Sequence, residues 1–310
     1  MTCDTPVHSV KLPIFYDNYD IKFKRDDLYP KFLGGNKARK IVEIGKYAIS
    51  NKFDTLVTNG GVQSNHCRAT ALFCAQNNLK CRLVLHSEKP INKIEGNHML
   101  AKLAGAEISF TPLSELSNAM DKAMLQEIEK GNKPFYIWGG GHSLEGSLAY
   151  YNAFNELEKQ CAASDWIPDY IILPSGTGTT QAGIHVGNET TCWQTKIIGV
   201  SVAREKKRGK KIIEDSCNEL RTYCNEKSIN KNEIIFLDDY TAGGYERCNR
   251  KIVEIIKTVA KNGIILDPTY TGKAFWGLSE LIKNKTILKG SNILFWHTGG
   301  LFNLLTSNNI

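Results

Sequence analysis

The chain has 310 residues, more than one hydrophobic core usually serves, so we expect two lobes or one large α/β domain. Hydrophobic residues make up 42% and charged residues 23%, which is typical of a soluble globular protein. The net charge is +7, and its densest cluster is REKKRGKKIIED at 204–215. Acidic residues flank this cluster and no aromatic residue interrupts it. We therefore interpret it as a solvated loop or helix start rather than a nucleic-acid site.

Three further features limit the class of protein. The segment at 1–20 lacks a basic stretch followed by an apolar run, so we expect no signal peptide. No apolar stretch reaches the roughly 18 residues of a membrane span. The nine cysteines show no CxxC pair and no zinc-ligand spacing. We therefore expect a cytoplasmic protein with reduced thiols, no bound metal and no membrane partner.

Strand and helix patterns alternate along the chain. Apolar runs typical of strands are DTLVTNG, CRLVLH, AEISF, PFYIW, YIILPSG, KIIGVSV, EIIFL and SNILFW. Helical patterns lie between them, for example at 36–51, 64–77, 93–104, 144–160, 247–261 and 272–284. This alternation predicts parallel sheets joined by crossover helices. Several predicted strands end in glycine-rich turns that lead into helices, which is where open α/β sheets bind ligands.

The turn LPSGTGTTQAG at 173–183 follows one of these apolar strands. Glycine and small hydroxyl residues let backbone N–H groups point into one concavity, and a helix N-terminus adds positive potential. These features favour a phosphate site, although the spacing matches neither the GxGxxG nor the GxxxxGK[ST] nucleotide motif. Taken alone, the pattern is equally typical of a tight strand-to-helix turn.

A second turn, VTNGGVQSNHCRATA at 57–71, also leads from a strand into a helix. Ser64, Asn65 and His66 stand at the helix start, where serine and asparagine are good caps. Free N–H groups at such a start can hold a carboxylate. The alternative is that Ser64 or Asn65 only caps the helix and that His66 packs inside.

The segment GGNKARK at 34–40 places Lys37 at the start of a predicted helix, where the positive end of the dipole disfavours a cation. Such a field lowers the pKa of a lysine, and only a neutral lysine forms an imine with an aldehyde. The last predicted strand ends at 295–303, FWHTGGLFN, with the hydroxyl of Thr298. A lysine nucleophile, a phosphate turn, a carboxylate turn and this hydroxyl together favour pyridoxal 5′-phosphate as cofactor and an amino acid as substrate.

Seven segments occur in the order of a known enzyme family: KRDDL (24–28), GGNKARK (34–40), NGGVQSNHCRATA (59–71), GNHMLAKLAGAEI (96–108), SGTGTTQAG (175–183), LDPTYTGKA (266–274) and HTGG (297–300). They resemble the D-cysteine desulfhydrase and 1-aminocyclopropane-1-carboxylate (ACC) deaminase family of fold-type-II pyridoxal-phosphate enzymes, over nearly the whole chain. The resemblance implies a tryptophan synthase β-like fold, with a large lobe at 1–43 and 150–310 and a small lobe at 44–149 inserted in it. It also implies a cofactor between the lobes and a homodimer.

The resemblance assigns a role to the polar residues at these turns. Lys37 would hold the cofactor as a Schiff base and accept the proton from the substrate α-carbon. Tyr270 would be the active-site tyrosine, and Ser64 would bind the substrate carboxylate. Asn65 would bond the phenolic oxygen of the cofactor, and Thr298 would face its pyridine nitrogen. The phosphate would be held by Ser175, Gly176, Thr177, Gly178, Thr179 and Thr180.

Four more residues are expected around the substrate: His66, His142, Tyr240 and Thr271. Tyr240, in DDYTAGGYE, resembles a second pocket tyrosine of the family. His142 belongs to YIWGGGHSLEGSLAYY at 136–151, which departs from the IPxGGSNxxGxxGY pattern of the family. It is either a pocket group or an ordinary loop histidine. A changed pocket there is compatible with a different β-substituted D-amino acid or with a biosynthetic role.

The residue that follows Tyr270 bears on the reaction. ACC deaminases carry a glutamate there, in a YEGK motif, and its carboxylate strengthens the electron sink that ring opening requires. This chain has YTGK, with the neutral Thr271, and a weaker sink suffices when a thiolate leaves from the β-carbon. We expect α,β-elimination from D-cysteine or a related β-substituted D-amino acid. ACC deamination is the alternative, and a non-catalytic pyridoxal-phosphate-binding homologue is a third hypothesis.

Overall fold

The computed structural model describes residues 4–10, 12–13, 16–225 and 233–307. The strands are β1 (Val7–Ser9), β2 (Asp20–Arg25), β3 (Thr55–Gly61), β4 (Lys80–His86), β5 (Glu107–Thr111), β6 (Pro134–Ile137), β7 (Tyr170–Ser175), β8 (Lys196–Ser201), β9 (Ile235–Leu237) and β10 (Asn292–His297). The helices are α1 (Asn36–Ser50), α2 (Asn65–Gln76), α3 (Gly96–Leu103), α4 (Leu116–Glu129), α5 (Leu144–Ser164), α6 (Thr179–Glu189), α7 (Lys206–Cys224), α8 (Arg250–Ala260), α9 (Thr271–Lys283) and α10 (Leu301–Leu305).

The strands form two sheets. A six-stranded sheet has the order β1-β2-β10-β7-β8-β9, and a four-stranded sheet has the order β5-β4-β3-β6. Within the described residues, β1 and β2 are antiparallel and the other neighbouring strands run parallel. The α/β class with parallel sheets is therefore confirmed, with one antiparallel edge strand added. The four-stranded sheet lies inside the range expected for a small lobe, and the lobe boundaries stay a proposal.

Both faces of the six-stranded sheet are packed, and successive side chains of a strand point to opposite faces. In β10, Phe295 packs with Phe23 and Phe275 on one face, while Trp296 packs beside Tyr150 on the other. Each of these large side chains is fully buried. Burying one such side chain is worth about 1.5–3 kcal/mol. The turns at the carboxyl end of the six-stranded sheet are thus supported by a fully buried core.

Four helices, α4, α6, α7 and α10, lie outside the helical patterns given as examples from the sequence. For two of them the sequence nonetheless carries a signal, since the turn at 173–183 predicts a helix N-terminus and the basic run at 204–215 predicts a loop or helix start. The basic run at 204–215 forms the start of α7, where Lys210 pairs with Glu233 and Lys211 pairs with Asp215. The interpretation of this run as a solvated helix start is confirmed for α7. Within the described ranges, no helix combines the length and apolar composition that crossing a bilayer requires.

A buried ionic cluster holds the turn that precedes α1. Asp26, in the KRDDL motif, is fully buried and accepts hydrogen bonds from Arg39 Nη2 and Trp296 Nε1, each at 2.8 Å. Its backbone oxygen accepts from the N–H of Gly35 at 2.7 Å. Gly35 has a φ of +87°, which glycine adopts more readily than any other residue. The cluster therefore fixes the turn from which α1 projects Lys37.

Candidate active site

A cavity of about 310 Å³ lies at the carboxyl ends of β3 and β7, beside the first turn of α1. Parallel strands end at one edge of their sheet, so residues distant in sequence meet there. The structure brings ten of the predicted site residues to the walls of this cavity: Lys37, Ser64, His66, Ser175, Gly176, Thr177, Gly178, Thr180, Tyr270 and Thr298.

Asn65 lines a second cavity of about 240 Å³. This smaller cavity shares Asn36, Lys37 and Thr298 with the larger one, so the two meet at the lysine. Asn65 Nδ2 donates to Asn303 Oδ1 at 2.5 Å, and its Oδ1 accepts from Asn97 Nδ2 at 3.0 Å. Asn65 is therefore held by side chains and lines a cavity that Lys37 also lines.

Lys37 lies in the first turn of α1, and its Nζ donates to the carbonyl oxygen of Gly140 at 2.8 Å. Burial, and after it the positive charge of Arg204, lowers the pKa of Lys37 from 10.5 to about 8. The direction agrees with the expectation from sequence, but the main cause is burial rather than the helix field. A lysine with this pKa is partly neutral near neutral pH and can act as a nucleophile and a base.

The turn at 175–180 has the donors that a phosphate needs. Gly178, with a φ of +93°, precedes α6, and the first N–H groups of a helix have no partners within it. Ser175 Oγ is buried and has no hydrogen-bond partner among the described residues. Lys40 Nζ donates to Thr179 Oγ1 at 2.6 Å. An orphaned hydroxyl, a helix N-terminus and a buried lysine at one turn fit a phosphate group.

The N-terminus of α2 fits a carboxylate. Ser64 is the N-cap, and its Oγ accepts from the N–H of Cys67 at 3.2 Å while its own hydrogen is left to donate. The N–H groups of Asn65 and His66 belong to the first turn, where no intrahelical acceptor exists. A small carboxylate in the larger cavity can therefore receive two N–H bonds and one hydroxyl bond at this point.

His66 is buried and neutral. Thr58 Oγ1 donates its one hydrogen to the carbonyl oxygen of Ile137 at 2.8 Å, so the 3.0 Å contact with His66 Nε2 needs the histidine as donor. Nδ1 is then the unprotonated nitrogen, and it has no partner among the described residues. Burial, aided by the charges of Lys37 and Lys40, holds the pKa of His66 well below its usual range. His66 thus offers an acceptor rather than a charge.

Two tyrosines, Tyr245 and Tyr270, meet at the cavity wall. The sequence predicts Tyr270 there, whereas Tyr245 takes the place expected for Tyr240. The hydroxyls of Tyr245 and Tyr270 lie 2.5 Å apart, with the rings edge-on at 6.0 Å. Burial raises the pKa of both hydroxyls, so both stay protonated at neutral pH. Tyr240 packs edge-on against Trp276 at 5.2 Å and lines neither cavity. The glycines between the two tyrosines of DDYTAGGYE turn the chain, so the later one reaches the site.

Thr271, expected in the substrate pocket, is fully buried and lines neither cavity. Its hydroxyl donates to Asp267 Oδ1 and accepts from the N–H of Asp267, both at 2.8 Å. The Asp267 carboxylate also accepts from the N–H groups of Thr269, Tyr270 and Thr271 at 2.8 to 3.0 Å. Asp267 therefore caps the start of α9 and fixes Tyr270. An aspartate just ahead of a helix is the sequence signal for such a cap.

Two other predicted residues lie outside the lining of either cavity. Thr179 is buried behind the phosphate turn, where it accepts from Lys40. His142 lies beside the backbone of Thr177, and burial followed by the charges of Lys40 and Arg204 lowers its pKa. His142 therefore belongs to the loop that supports the phosphate turn rather than to the cavity wall.

Sequence reasoning missed two cations that line the larger cavity. Lys40 follows Lys37 by one helical turn, so both lie on one face of α1, and this spacing was the available signal. Arg204 begins the basic run at 204–215, for which the sequence predicts exposure to solvent throughout. Its guanidinium forms no ion pair within the part of the chain that the structure describes, and burial lowers its pKa. The cavity therefore carries a positive field suited to anionic ligands.

Comparisons with known proteins agree with this site. A model of the family described as "Pyridoxal-phosphate dependent enzyme" matches residues 2–299. The chain is 33% identical over 313 residues to an Arabidopsis thaliana protein named bifunctional D-cysteine desulfhydrase/1-aminocyclopropane-1-carboxylate deaminase, mitochondrial, covering 97% of this chain and 77% of that one. It is 35% identical over 286 residues to a putative 1-aminocyclopropane-1-carboxylate deaminase of Pyrococcus furiosus, covering 91% of this chain and 85% of that one.

A solved structure has a similar fold. The crystal structure of an ACC deaminase homologue matches with a TM-score of 0.85 and 31% identity, covering 97% of this chain and 90% of that one. The fold-type-II architecture expected from the sequence is confirmed. The expectation of a catalyst rather than a non-catalytic homologue is confirmed by the enzymes among these relatives. The chain belongs to the pyridoxal-phosphate-dependent enzymes, within the D-cysteine desulfhydrase/ACC deaminase family.

Proposed function

We propose that this enzyme catalyses α,β-elimination from a small β-substituted D-amino acid, with D-cysteine as the leading substrate. D-Cysteine and water would give pyruvate, ammonia and sulfide. The observation that carries the proposal is a cavity in which Lys37 has a lowered pKa and no carboxylate lines the walls within the described residues. Deamination of ACC to 2-oxobutanoate and ammonia is the alternative, because the names of both curated relatives include it.

The cofactor site would use the residues of both cavities. Ser175 Oγ, the first turn of α6 and the buried Lys40 are suited to the phosphate. Asn65 would donate to the phenolic oxygen, and Lys37 would attach to the aldehyde carbon. Thr298 lines both cavities and would meet the pyridine nitrogen.

The acid–base chemistry would rest on Lys37 and Tyr270. Pyridoxal phosphate, when bound, supplies an electron sink for the bonding pair left at the substrate α-carbon. Lys37 Nζ would accept the α-proton, which requires a neutral amine, and its pKa of about 8 leaves a usable neutral fraction. The hydroxyl of Tyr270 stays protonated because burial raises its pKa, so it can donate to the departing β-substituent.

The substrate would be oriented by its carboxylate at the N-terminus of α2. Ser64 and the N–H groups of the first turn of that helix provide donors, and the helix dipole favours a negative charge there. The neutral His66 adds an acceptor next to the same turn. This arrangement would hold the α-carbon near Lys37 while leaving the β-substituent free to reach the tyrosine pair.

The charge of the cavity supports elimination over ring opening. Asp27 is the carboxylate that lines the smaller cavity, and it is ion-paired with Arg25 at 2.6 Å. The pyridine nitrogen would meet the neutral Thr298, and the carboxylate of Asp27 already has a cationic partner in Arg25. A weaker electron sink suffices for a thiolate that leaves readily, whereas opening a cyclopropane ring needs a stronger one.

The proposed reaction is tested by comparing kcat/KM for D-cysteine, L-cysteine, β-chloro-D-alanine and ACC, with keto acid, ammonia and sulfide measured separately. We expect D-cysteine or β-chloro-D-alanine to exceed ACC by more than about tenfold, or ~1.4 kcal/mol of transition-state stabilisation. Comparable values on ACC would restore the deaminase alternative. Activity on none of the four would point to another β-substituted substrate.

The variant Thr271→Glu is the matched control for this comparison. We expect it to remain a poor ACC deaminase, because the carboxylate would replace a hydroxyl that is bonded to Asp267 at the start of α9. It should also unfold at a lower temperature than the wild type, because both hydrogen bonds of the Thr271 hydroxyl are lost and a second carboxylate is buried beside Asp267. A stable Thr271→Glu enzyme with high activity on ACC would show that this position alone sets the reaction.

A second prediction concerns the charge near Lys37. Replacing Arg204 with glutamine should raise the pKa of Lys37 above about 8, because a positive neighbour that disfavours the ammonium form is removed. Burial is the larger cause, so the pKa should stay below 10.5. The pH dependence of cofactor attachment, trapped by borohydride, measures the shift. Arg208→Gln, at an exposed position, is the control, and an unchanged midpoint in Arg204→Gln would contradict the assigned cause.

Two expectations of the family resemblance, a homodimer and a cytoplasmic location, stay proposals. Analytical ultracentrifugation of the purified enzyme tests the first, and a monomer at micromolar concentration would contradict it. Fractionation of cells that express the chain tests the second. Neither bears on the reaction proposed at Lys37.

A further inference from the structure

A chain of side-chain amides surrounds Asn65. Arg68 Nη1 donates to Asn97 Oδ1 at 3.2 Å, and Asn97 Nδ2 donates to Asn65 Oδ1 at 3.0 Å. Asn65 Nδ2 donates to Asn303 Oδ1 at 2.5 Å, and Asn303 Nδ2 donates to the backbone oxygen of Gln63 at 3.1 Å. Asn65, Asn97 and Arg68 lie on helices next to the four-stranded sheet, whereas Asn303 lies on the C-terminal helix α10.

The donor and the acceptor of every hydrogen bond in this chain of amides are fixed by the groups at its two ends. A guanidinium can only donate, so Arg68 must face the oxygen of Asn97. Asn97 then presents its nitrogen, which must meet the oxygen of Asn65. At the other end, the carbonyl of Gln63 can only accept, so Asn303 turns its nitrogen there and its oxygen towards Asn65. The amide groups of Asn65 and Asn303 therefore have one orientation each, although nitrogen and oxygen are similar in shape.

This orientation decides what Asn65 can offer a ligand. Its oxygen is used by Asn97, with a longer 3.4 Å contact from Arg68. Its nitrogen carries two hydrogens, and Asn303 receives one of them. The second hydrogen is left at the edge of the smaller cavity, which Lys37 also lines. Asn65 is thus restricted to donating one hydrogen bond, which suits an acceptor such as a phenolate oxygen.

We propose that Asn303 is a positioning residue that orients the Asn65 amide as a donor to the phenolic oxygen of the cofactor. The proposal rests on the proposed cofactor role of Asn65. Asn303 is 6% exposed and lies beyond the residues 2–299 that the family model matches. Phe302, its neighbour on α10, packs on the guanidinium of Arg68 at 4.9 Å, so the helix holds both ends of the amide chain.

The test compares two variants of similar size. Asn303→Leu removes both hydrogen bonds, whereas Asn303→Asp keeps an acceptor for Asn65 and loses only the donor to Gln63. We expect Asn303→Leu to bind pyridoxal phosphate about threefold to tenfold more weakly than the wild type, as loss of a net hydrogen bond implies. Asn303→Asp should lose less. Leu305→Ala, at an exposed position of the same helix, is the control and should bind the cofactor as the wild type does.

Two measurements that do not depend on turnover test whether the weaker cofactor binding comes from a misoriented Asn65 amide. The pH midpoint of the absorbance of bound cofactor should rise in Asn303→Leu, because the phenolic oxygen loses an oriented donor. Hydrogen exchange in the holoenzyme should quicken at 63–68 and not in the six-stranded sheet. Asn65→Ala should produce the same shift of the absorbance midpoint. The double variant with Asn65→Ala and Asn303→Leu should shift the midpoint little further than Asn65→Ala alone.

Several results would overturn the proposal. They are wild-type cofactor affinity in Asn303→Leu, equal losses in the leucine and aspartate variants, or failure of both variants to fold. The last result would mean that Asn303 serves the stability of α10 alone. If Asn65→Ala leaves affinity and absorbance unchanged, the cofactor role of Asn65 is wrong, and exchange at 63–68 then shows separately whether Asn303 holds that segment.

Discussion

Replacing Lys37 with alanine is expected to abolish covalent attachment of the cofactor and to reduce turnover by at least ~10²- to 10⁴-fold, the range of general acid–base assistance alone. The larger part of the loss follows from removing the attachment point and the base in one change. Cofactor bound without a covalent bond should remain, because Ser175, Lys40 and the first turn of α6 are untouched.

Borohydride reduction followed by peptide mass spectrometry measures where the cofactor attaches. The competing site is Lys40, which lines the same cavity and whose pKa burial also lowers. Its Nζ donates a hydrogen bond to the Thr179 hydroxyl, whereas the hydrogen bond of Lys37 Nζ goes to the carbonyl oxygen of Gly140. We therefore expect the reduced adduct on Lys37 in the wild type and in Lys40→Met, with weaker cofactor binding in the latter. An adduct on Lys40 in the wild type would refute the assignment.

The sequence predicts most of the sheet framework because strands covered on both faces appear as continuous apolar runs. All residues of β7 are buried, and its apolar run YIILPS predicts a strand. β2 was missed because its pattern, DIKFKR, contains two lysines. Lys24 is nonetheless fully buried, since its Nζ is ion-paired with Glu156 and donates to the backbone of Thr5. Such compensation by a residue distant in sequence leaves no local signal.

The site residues also divide into those with a local sequence signal and those placed by contacts distant in sequence. Those at strand-to-helix turns, such as Lys37 and Ser64, were found because glycine and capping residues mark the turns. Tyr245 was missed because loop composition does not tell which of two tyrosines reaches the cavity. Asn303 could not be found at all, since its contact with Asn65 spans 238 residues of sequence and depends on how α10 packs. Tertiary packing, rather than local pattern, decides these cases.

The second large effect is expected for Tyr270→Phe, and it depends on the leaving group. A thiolate departs more readily when a hydroxyl donates a hydrogen bond or proton to it, and such assistance is worth ~10² to 10⁴ in rate. Chloride needs no proton. Tyr270→Phe should therefore slow D-cysteine strongly and β-chloro-D-alanine much less, provided that both substrates are compared on enzyme saturated with cofactor.

Tyr245→Phe is the matched control, because it removes the other hydroxyl of the 2.5 Å pair. In the pair one hydroxyl donates to the other, so a single hydrogen remains free for the substrate. If Tyr270 supplies that hydrogen, Tyr245 donates its own hydrogen to Tyr270. Tyr245→Phe should then cost less than Tyr270→Phe on D-cysteine and should preserve the difference between the two substrates. Equal losses on both substrates in Tyr270→Phe would mean that the hydroxyl positions the cofactor or the substrate. No loss on either substrate would remove Tyr270 from the catalytic residues, and the raised pKa of both hydroxyls would then reflect burial alone.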